Sequence, residues 1–372
     1  MGADIALVCG TRPELIKLAP LARALGAAAR VVYTGQHHDT ALYDRVRRDL
    51  GLPADFHDLR VGGGRRGDQL GRAVSALDAA LAHRPPSVVV VQGDTTSALA
   101  GALAANAAGL PLAHVEAGLR SYDRAMPEEH NRVLIDHLAD LCCAPTEGNR
   151  ANLLAENVPD ARIAVTGNTV VEALLEARSA HHREAALLAG YGLAVDGFAL
   201  ATIHRPENTD RPAVLRDVLT QLRALPLPVL FPLHPRTAAR LTAFGLEHLL
   251  DGLLVAEPLA YPDFLALMSA AAVVVSDSGG VQEEVSVLKR PVVVVRRSTE
   301  RPEIEGTFGT LVPPGPAIGA EVRRWLADPA GSRAALAELP SPYGDGSASD
   351  RIAAALTALA RRNGPRPALV AR

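Results

Sequence analysis

Short β-branched runs alternate along this chain with longer segments in which Ala and Leu return at helical spacing. That alternation is the pattern of parallel strands joined by right-handed helical crossovers, and it predicts an α/β class. Strands are expected at residues 5–9, 30–34, 88–92, 111–115, 141–144 and 163–165, with helices at 13–25, 68–83, 95–108, 128–138 and 147–156. A second set of strands is expected at 198–203, 228–232, 253–255, 273–276 and 291–295, which makes two similar sheets in tandem. A chain of 372 residues also exceeds what one hydrophobic core usually serves.

The change of domain is expected at Thr166-Gly167-Asn168-Thr169, where a strand ends in turn residues and a helix from Val170 to Ala177 carries the chain across. The first domain then spans residues 1–167 and the second 168–349, while a final amphipathic helix from Asp350 to Arg362, within 350–372, packs back towards the first.

Lys and Arg number 38 against 41 for Asp and Glu, so no broad positive field gathers nucleic acid or an anionic membrane. Thirteen aromatic residues make base-stacking platforms improbable. Cys9, Cys142 and Cys143 form no metal-ligand spacing, and an odd count without a framework points to a reducing compartment. The Ile5 to Cys9 run is too short for a signal peptide, and no stretch approaches the ~18 apolar residues of a membrane span, so a cytoplasmic protein is expected.

Gly62-Gly63-Gly64-Arg65-Arg66-Gly67 satisfies the dinucleotide pattern G-x-G-x-x-G. That pattern works only in the turn after an apolar strand, with an acid closing the next strand. His57 to Val61 is mostly polar and Asp78 lies inside a helix, so the segment reads as a mobile surface loop and no cofactor is expected.

In open parallel sheets ligands gather beyond the carboxyl ends of the strands. After the first strand, Arg12 and Lys17 flank a helix N-terminus, a natural seat for an anion. After the third comes Asp94, well placed as an N-cap, and after the fourth Glu116, an acid beside a glycine turn. Glu128 opens a helix, within i,i+4 reach of Arg132. Three carboxylates near one sheet edge would raise one another's pKa, which suits acid and base work. In the second half, His204 and His234 follow strands, each with an Arg nearby, as a phosphate-facing rim. Ser278-Gly279-Gly280 lets backbone amides approach a diphosphate at a helix start, with Glu284 about a turn further on, and Arg296 to Glu303 adds a charged loop on the same edge.

GTRPELIKLAP, TGQHHD, QGDTTSALA, HVEAGLRS, MPEEHNR, TGNTVVEALL, HRPEN, SDSGGVQEE, STERPE and PYGDGSAS, in that order, resemble the non-hydrolysing UDP-N-acetylglucosamine 2-epimerases over nearly the whole chain. The resemblance implies a glycosyltransferase-B arrangement, two Rossmann-like domains facing across a cleft, and a homodimer. It implies that Asp94, Glu116 and Glu128 are the catalytic carboxylates and that His204 acts at the diphosphate. It further implies that Arg12, Lys17, His234, Ser278, Gly279, Gly280 and Glu284 hold the nucleotide sugar, with UDP mainly on the second domain. Gln36, His37 and Gln69 match positions that contact a second, regulatory UDP-N-acetylglucosamine in bacterial relatives. The segment Asp123-Arg-Ala-Met126 departs from many of them by being shorter. No metal is implied. A glycosyltransferase of the same architecture, or an epimerase for a modified sugar such as a diacetamido uronate, remains open on residues alone.

Overall fold

The computed structural model describes residues 4–36, 52, 55–179 and 183–363. The chain divides into two compact units, one running up to Ala173 and resuming at Tyr343, the other being Leu174–Pro342. The changeovers fall at 173/174 and 342/343, against the 167/168 and 349/350 read from the sequence. Tyr343 belongs with the first unit: the Asn168 N–H donates to its carbonyl at 2.8 Å, and it is 2 % exposed.

The first unit holds a sheet of seven parallel strands among the described residues: β1 (Ile5–Cys9), β2 (Ala29–Tyr33), β3 (Phe56–Asp58), β4 (Val88–Gln92), β5 (Leu112–Val115), β6 (Leu141–Ala144) and β7 (Ile163–Val165). Their order is β3-β2-β1-β4-β5-β6-β7, so the winding reverses between β1 and β4. Both of those strands are buried along their full length, as a sheet covered on two faces requires. One face carries Leu77 and Leu81 of the Arg66–His83 helix, Ala98 and Ala102 of the Thr96–Ala107 helix, and Ile135 and Leu153. The Thr96–Ala107 helix lies close on the reversal point, because a Cβ on Gly101 would stand 2.7 Å from Val91 Cγ1 and 2.9 Å from Val8 Cγ1. The opposite face is covered by Leu15, Leu18 and Leu21 of the Arg12–Leu25 helix together with Ile352 and Leu356 of the Ala348–Asn363 helix. Ile352 and Leu356 are fully buried, and side chains of this size each contribute roughly 1.5–3 kcal/mol.

The second unit holds six parallel strands, β8 (Ala199–Thr202), β9 (Val229–Pro232), β10 (Leu254–Ala256), β11 (Val273–Ser276), β12 (Val292–Val295) and β13 (Gly309–Val312), in the order β10-β9-β8-β11-β12-β13. Its reversal lies between β8 and β11, where Thr202 Oγ1 and Ser276 Oγ meet at 2.8 Å.

β3 and β13 are additions to the strands read from the sequence, and both lie at sheet edges. The Gly62 to Gly67 segment is packed down rather than loose at its start. Leu59 N–H donates to the Tyr33 carbonyl and Val61 N–H to that of Thr34, each at 2.8 Å, and a Cβ on Gly62 would fall 2.0 Å from the Gly35 carbonyl oxygen. No helix among the described residues is long and apolar enough to cross a membrane.

Candidate active site

Gly10 turns the chain after β1, in a space where a Cβ would meet Ser97 Oγ at 1.9 Å. The Arg12–Leu25 helix then starts with Arg12 half-buried and sends Lys17 to Glu116, Nζ to Oε2 at 2.6 Å, with both side chains almost wholly buried. Gln92 Nε2 donates to the same oxygen at 2.5 Å. Glu116 takes a left-handed φ of 70° just past β5, a conformation uncommon for a side chain of this size and found often at functional sites. A buried carboxylate is tolerable only with such partners.

Asp94 follows β4 across Gly93, one strand over from Glu116 in the sheet. Arg132 donates to Asp94 Oδ2 through Nε at 3.1 Å and through a second guanidinium nitrogen. Asn131 Nδ2 holds the Asp94 carbonyl at 2.7 Å. The helix cap expected of Asp94 is supplied instead by Thr95, whose hydroxyl accepts the Ala98 N–H at 3.0 Å. Asp94 is thereby free for other chemistry.

Glu128 is exposed, in the first turn of the Pro127–Leu138 helix, one turn before Asn131 and Arg132. The i,i+4 pairing expected between Glu128 and Arg132 is displaced, since Arg132 serves Asp94 and Glu129. Glu129 in turn accepts the amides of Ser121 and Tyr122 at 2.9–3.1 Å. The carboxylates expected to press on one another are therefore separately bound: Lys17 holds Glu116 and Arg132 holds Asp94.

Two supports of this edge were not singled out in the sequence. His114, fully buried in β5, contacts Asp136 Oδ1 through Nδ1 at 2.6 Å and the Gly93 carbonyl through Nε2 at 2.8 Å. Both ring nitrogens are engaged, and the ring thereby fixes the turn that presents Asp94. Asp136 is fully buried, yet its carboxyl is held below the usual range by His114 and by Arg120, against the opposing pull of desolvation.

The other support is Glu14, 1 % exposed. Its Oε2 accepts from Gly10 N at 3.0 Å, Thr11 N at 2.8 Å and Thr11 Oγ1 at 2.8 Å, and its Oε1 accepts from Thr95 Oγ1 at 2.7 Å. Burial pushes its pKa up to about 7, against the downward pull of these donors. The Thr11-x-x-Glu14 spacing is that of a capping box and marks Glu14 as a local helix start, but neither its bond to Thr95 nor the contacts of His114 have a signature, because those partners are backbone or lie far along the chain.

Gln36 and Gln69 come together: Gln69 Nε2 donates to the Gln36 carbonyl at 3.1 Å, while Gln36 Oε1 accepts from Ser97 Oγ at 2.8 Å and Ser97 N at 3.2 Å. His37 lies outside the described residues.

In the second unit the groups stand on either side of the β8/β11 reversal. Asp277, fully buried after β11, accepts from the backbone N–H groups of His204 and Arg205 at 2.8–3.1 Å and from Asn208 Nδ2 at 3.0 Å. His204 Nδ1 lies 3.0 Å from Asp277 Oδ1, and the imidazole is about a third exposed. Burial works to raise the Asp277 pKa, but these donors, His204 foremost, hold it below the usual carboxylate range. Asp277 was quoted in the sequence motif and given no role there; it is the orienting partner of His204. The His234 ring lies 5.1 Å from that of His204, and its Nδ1 accepts the Arg236 N–H at 3.1 Å.

Ser278 precedes the Gly279–Leu288 helix without its side chain capping it, which leaves the first-turn amides as orphan donors. A Cβ on Gly280 would meet nothing within 4 Å, whereas one on Gly279 would stand 2.6 Å from a guanidinium nitrogen of Arg301. Glu284 is buried in the same helix. The arginines expected to line a rim are committed elsewhere: Arg236 binds Asp210 at 2.6 Å, and Arg205 Nε donates to the Asp277 carbonyl at 3.0 Å. Within the Arg296 to Glu303 loop three charges are likewise turned inward, with Arg296 fully buried 2.8 Å from Glu300 and Arg301 2.8 Å from Glu283. Among the described residues no group of three or more His, Cys, Asp or Glu is arranged to hold a metal ion.

Each unit thus gathers its polar groups at the carboxyl ends of the strands beside a reversal point, where ligands of open α/β sheets bind. One edge carries cation-bound carboxylates suited to moving a proton. The other carries an oriented imidazole and a helix start whose free amides suit an anion.

A family model described as UDP-N-acetylglucosamine 2-epimerase matches residues 20–357. A curated UDP-N-acetylglucosamine 2-epimerase of Methanocaldococcus jannaschii is 39 % identical over 80 % of this chain and 85 % of its own. A UDP-2,3-diacetamido-2,3-dideoxy-D-glucuronate 2-epimerase of Pseudomonas aeruginosa is 35 % identical over 95 % of this chain and 99 % of its own. The solved M. jannaschii UDP-GlcNAc 2-epimerase, in complex with UDP-GlcNAc and UDP, superposes with a TM-score of 0.85 at 36 % identity, covering 96 % of this chain and all of that one. With the family model matching most of its length and a relative 39 % identical over 80 % of it, the chain belongs to the UDP-N-acetylglucosamine 2-epimerase family.

Proposed function

We propose that this chain interconverts UDP-N-acetylglucosamine and UDP-N-acetylmannosamine by eliminating UDP and adding it back. The observation that carries the reading is the buried Lys17–Glu116 pair at the carboxyl edge of the first sheet, with Asp94 one strand away on Arg132. Carbon 2 of the sugar has no carbonyl to stabilise a carbanion. Breaking the C1–O bond, with its electron pair leaving on UDP, makes C1 electron-poor and so acidifies the C2 hydrogen. A carboxylate takes that proton as the C1–C2 double bond forms, giving 2-acetamidoglucal. Attack of a UDP phosphate oxygen on C1, with protonation of C2 from the opposite face, gives the manno epimer. Atoms and electrons balance without a redox partner.

In this reading Asp94, Glu116 and Glu128 exchange the proton, and His204, oriented by Asp277, meets the departing diphosphate. Such prepositioned charge is usually the largest catalytic term. The first-turn amides of Gly279 and Gly280, just after Ser278, would share that negative charge, with Ser278, Glu284, His234, Arg12 and Lys17 holding the rest of the nucleotide sugar. Gln36, His37 and Gln69 are the proposed contacts for a second, regulatory nucleotide sugar, and the working form is a cytoplasmic homodimer.

The test is incubation with UDP-N-acetylglucosamine in deuterated water, followed by NMR. Deuterium at C2 of a UDP-linked manno product is expected. Free N-acetylmannosamine, or product without label, would refute the mechanism, and turnover of a diacetamido uronate alone would move the substrate assignment.

A further inference from the structure

Most acids in the first turn of a helix lie in water, where they complement the dipole and cap an amide or two. Glu14 has the capping position but not the surroundings. It is buried, and besides the Gly10 and Thr11 donors it takes a hydroxyl from 81 residues along the chain, Thr95 Oγ1, on its other oxygen. Capping requires only the Thr11 amide. The Thr95 bond joins the turn after β1, which leads into Arg12 and Lys17, to the turn after β4, which presents Asp94. These two strands border the reversal point of the first sheet.

We propose that Glu14 is a positioning residue whose carboxylate clamps the β1 turn to the β4 turn, and thereby sets Asp94 in register with Arg12 and Lys17 for proton transfer at C2. The inference rests on the reading that Asp94 takes part in that transfer.

All four contacts have the carboxyl oxygens accepting, which is the pattern of the ionised group, and charge-assisted bonds are the stronger kind. Protonation on Oε1 would reverse the Thr95 bond. The Thr95 oxygen already accepts the Ala98 N–H, so it would have to take two donors and turn its own hydrogen away. The clamp therefore loosens when Glu14 gains a proton, and its pKa of about 7 puts that change near neutrality. The groups facing Glu14 do not compete there. Burial keeps Cys9 of β1 and Tyr33 of β2 neutral well above pH 7. On its own helix Lys17 is paired with Glu116, and beyond Thr95 the Asp94 carboxylate is paired with Arg132.

The experiment is the pH profile of epimerisation between pH 5.5 and 9, followed by NMR on the full chain, for wild type, Glu14→Gln, Thr95→Val, Thr95→Ser and Asp94→Asn. Wild-type turnover is expected to rise through about pH 7. Glu14→Gln imitates the protonated state, so its profile should be flat, matching wild type at pH 6 and falling roughly tenfold below it at pH 8. Thr95→Val removes the far end of the clamp, so its profile should also be low and flat, while Thr95→Ser keeps the wild-type rise. A rise that persists unchanged in Glu14→Gln overturns the proposal. If that variant does not fold, a rise that persists in Thr95→Val overturns it. Asp94→Asn separates the two readings, because normal turnover there defeats the role of Asp94 while the Glu14 profile is still read on its own.

Discussion

Asp277 Oδ1 lies 3.0 Å from His204 Nδ1, and the same carboxylate receives the backbone amides of His204 and Arg205. With Nδ1 engaged, any hydrogen bond from the ring to a leaving group must come from Nε2. One buried group thus sets both the tautomer of the imidazole and the path of the chain beneath it.

Asp277→Asn should damage turnover out of proportion to nucleotide binding. The amide would turn an N–H towards donors that need an acceptor, leaving at least one buried group unpaired at a cost of about 1–3 kcal/mol. A kcat lower by roughly 10²-fold is expected, with UDP affinity by calorimetry changing less. Equal losses in both would argue that the pair is merely structural.

Lys17→Met should remove the ammonium that lies 2.6 Å from Glu116 Oε2. Breaking a buried ion pair from one side costs about 3–5 kcal/mol, to be read from urea unfolding at pH 7. Adding Glu116→Gln should recover most of that stability and none of the activity. Recovery of both would remove Glu116 from the proton-transfer scheme.

Gly279→Ala and Gly280→Ala should part company. A methyl at 279 collides with Arg301, which is tied to Glu283, so unfolding should occur at lower urea. A methyl at 280 meets no protein atom within 4 Å, so the fold should be unaffected. It would still stand over the uncapped helix start, and UDP affinity should fall roughly tenfold. Unchanged UDP binding in a folded Gly280→Ala protein would place the diphosphate elsewhere.

The pH dependence of stability carries a sign set by Glu14. Its folded pKa is raised from 4.5 to about 7, so the native state binds more protons than the unfolded state between those values. Stability from this group is constant below about 4.5, declines as pH rises to about 7, and is lowest above it, with a span of order 3 kcal/mol. Asp136 and Asp277, held below 3.8, act in the opposite sense at lower pH. The melting temperature of wild type should therefore fall from pH 5 to pH 8 relative to Glu14→Gln. Parallel curves would show that Glu14 does not titrate there.

The inner strands were legible because a parallel strand covered on both faces needs a near-continuous apolar run, as in Val88–Val91 of β4 and Val273–Val275 of β11. The edges were not. Phe56-His57-Asp58 in β3 is only partly buried, and β13 begins with Gly309 and is half exposed at its centre. Neither shows the continuous apolar run that marks a covered strand.

Residues just past the inner strands, such as Asp94, Glu116 and His204, were visible through their place on the sheet edge. Which charges would meet was less so. Helical spacing put Arg132 within reach of Glu128, but a part-buried carboxylate on another loop makes the stronger claim on a buried guanidinium than an exposed one four residues away. Glu14, His114 and Asp277 were missed as supports because much of what they hold is peptide backbone, which any residue supplies.

The Ala348–Asn363 helix lines one face of the β1-containing sheet although all of Leu174–Pro342 lies before it in the chain. During translation, then, the earlier-made sheet leaves the ribosome with that face covered only in part, by the Arg12–Leu25 helix, and must wait for the whole second unit before its last wall arrives. The second unit has no such delay, being one continuous stretch. Its folding can be complete first, and a stalled or shortened product ending before residue 348 would expose the apolar ground on which Ile352 and Leu356 normally sit, a surface that chaperones bind and proteases follow.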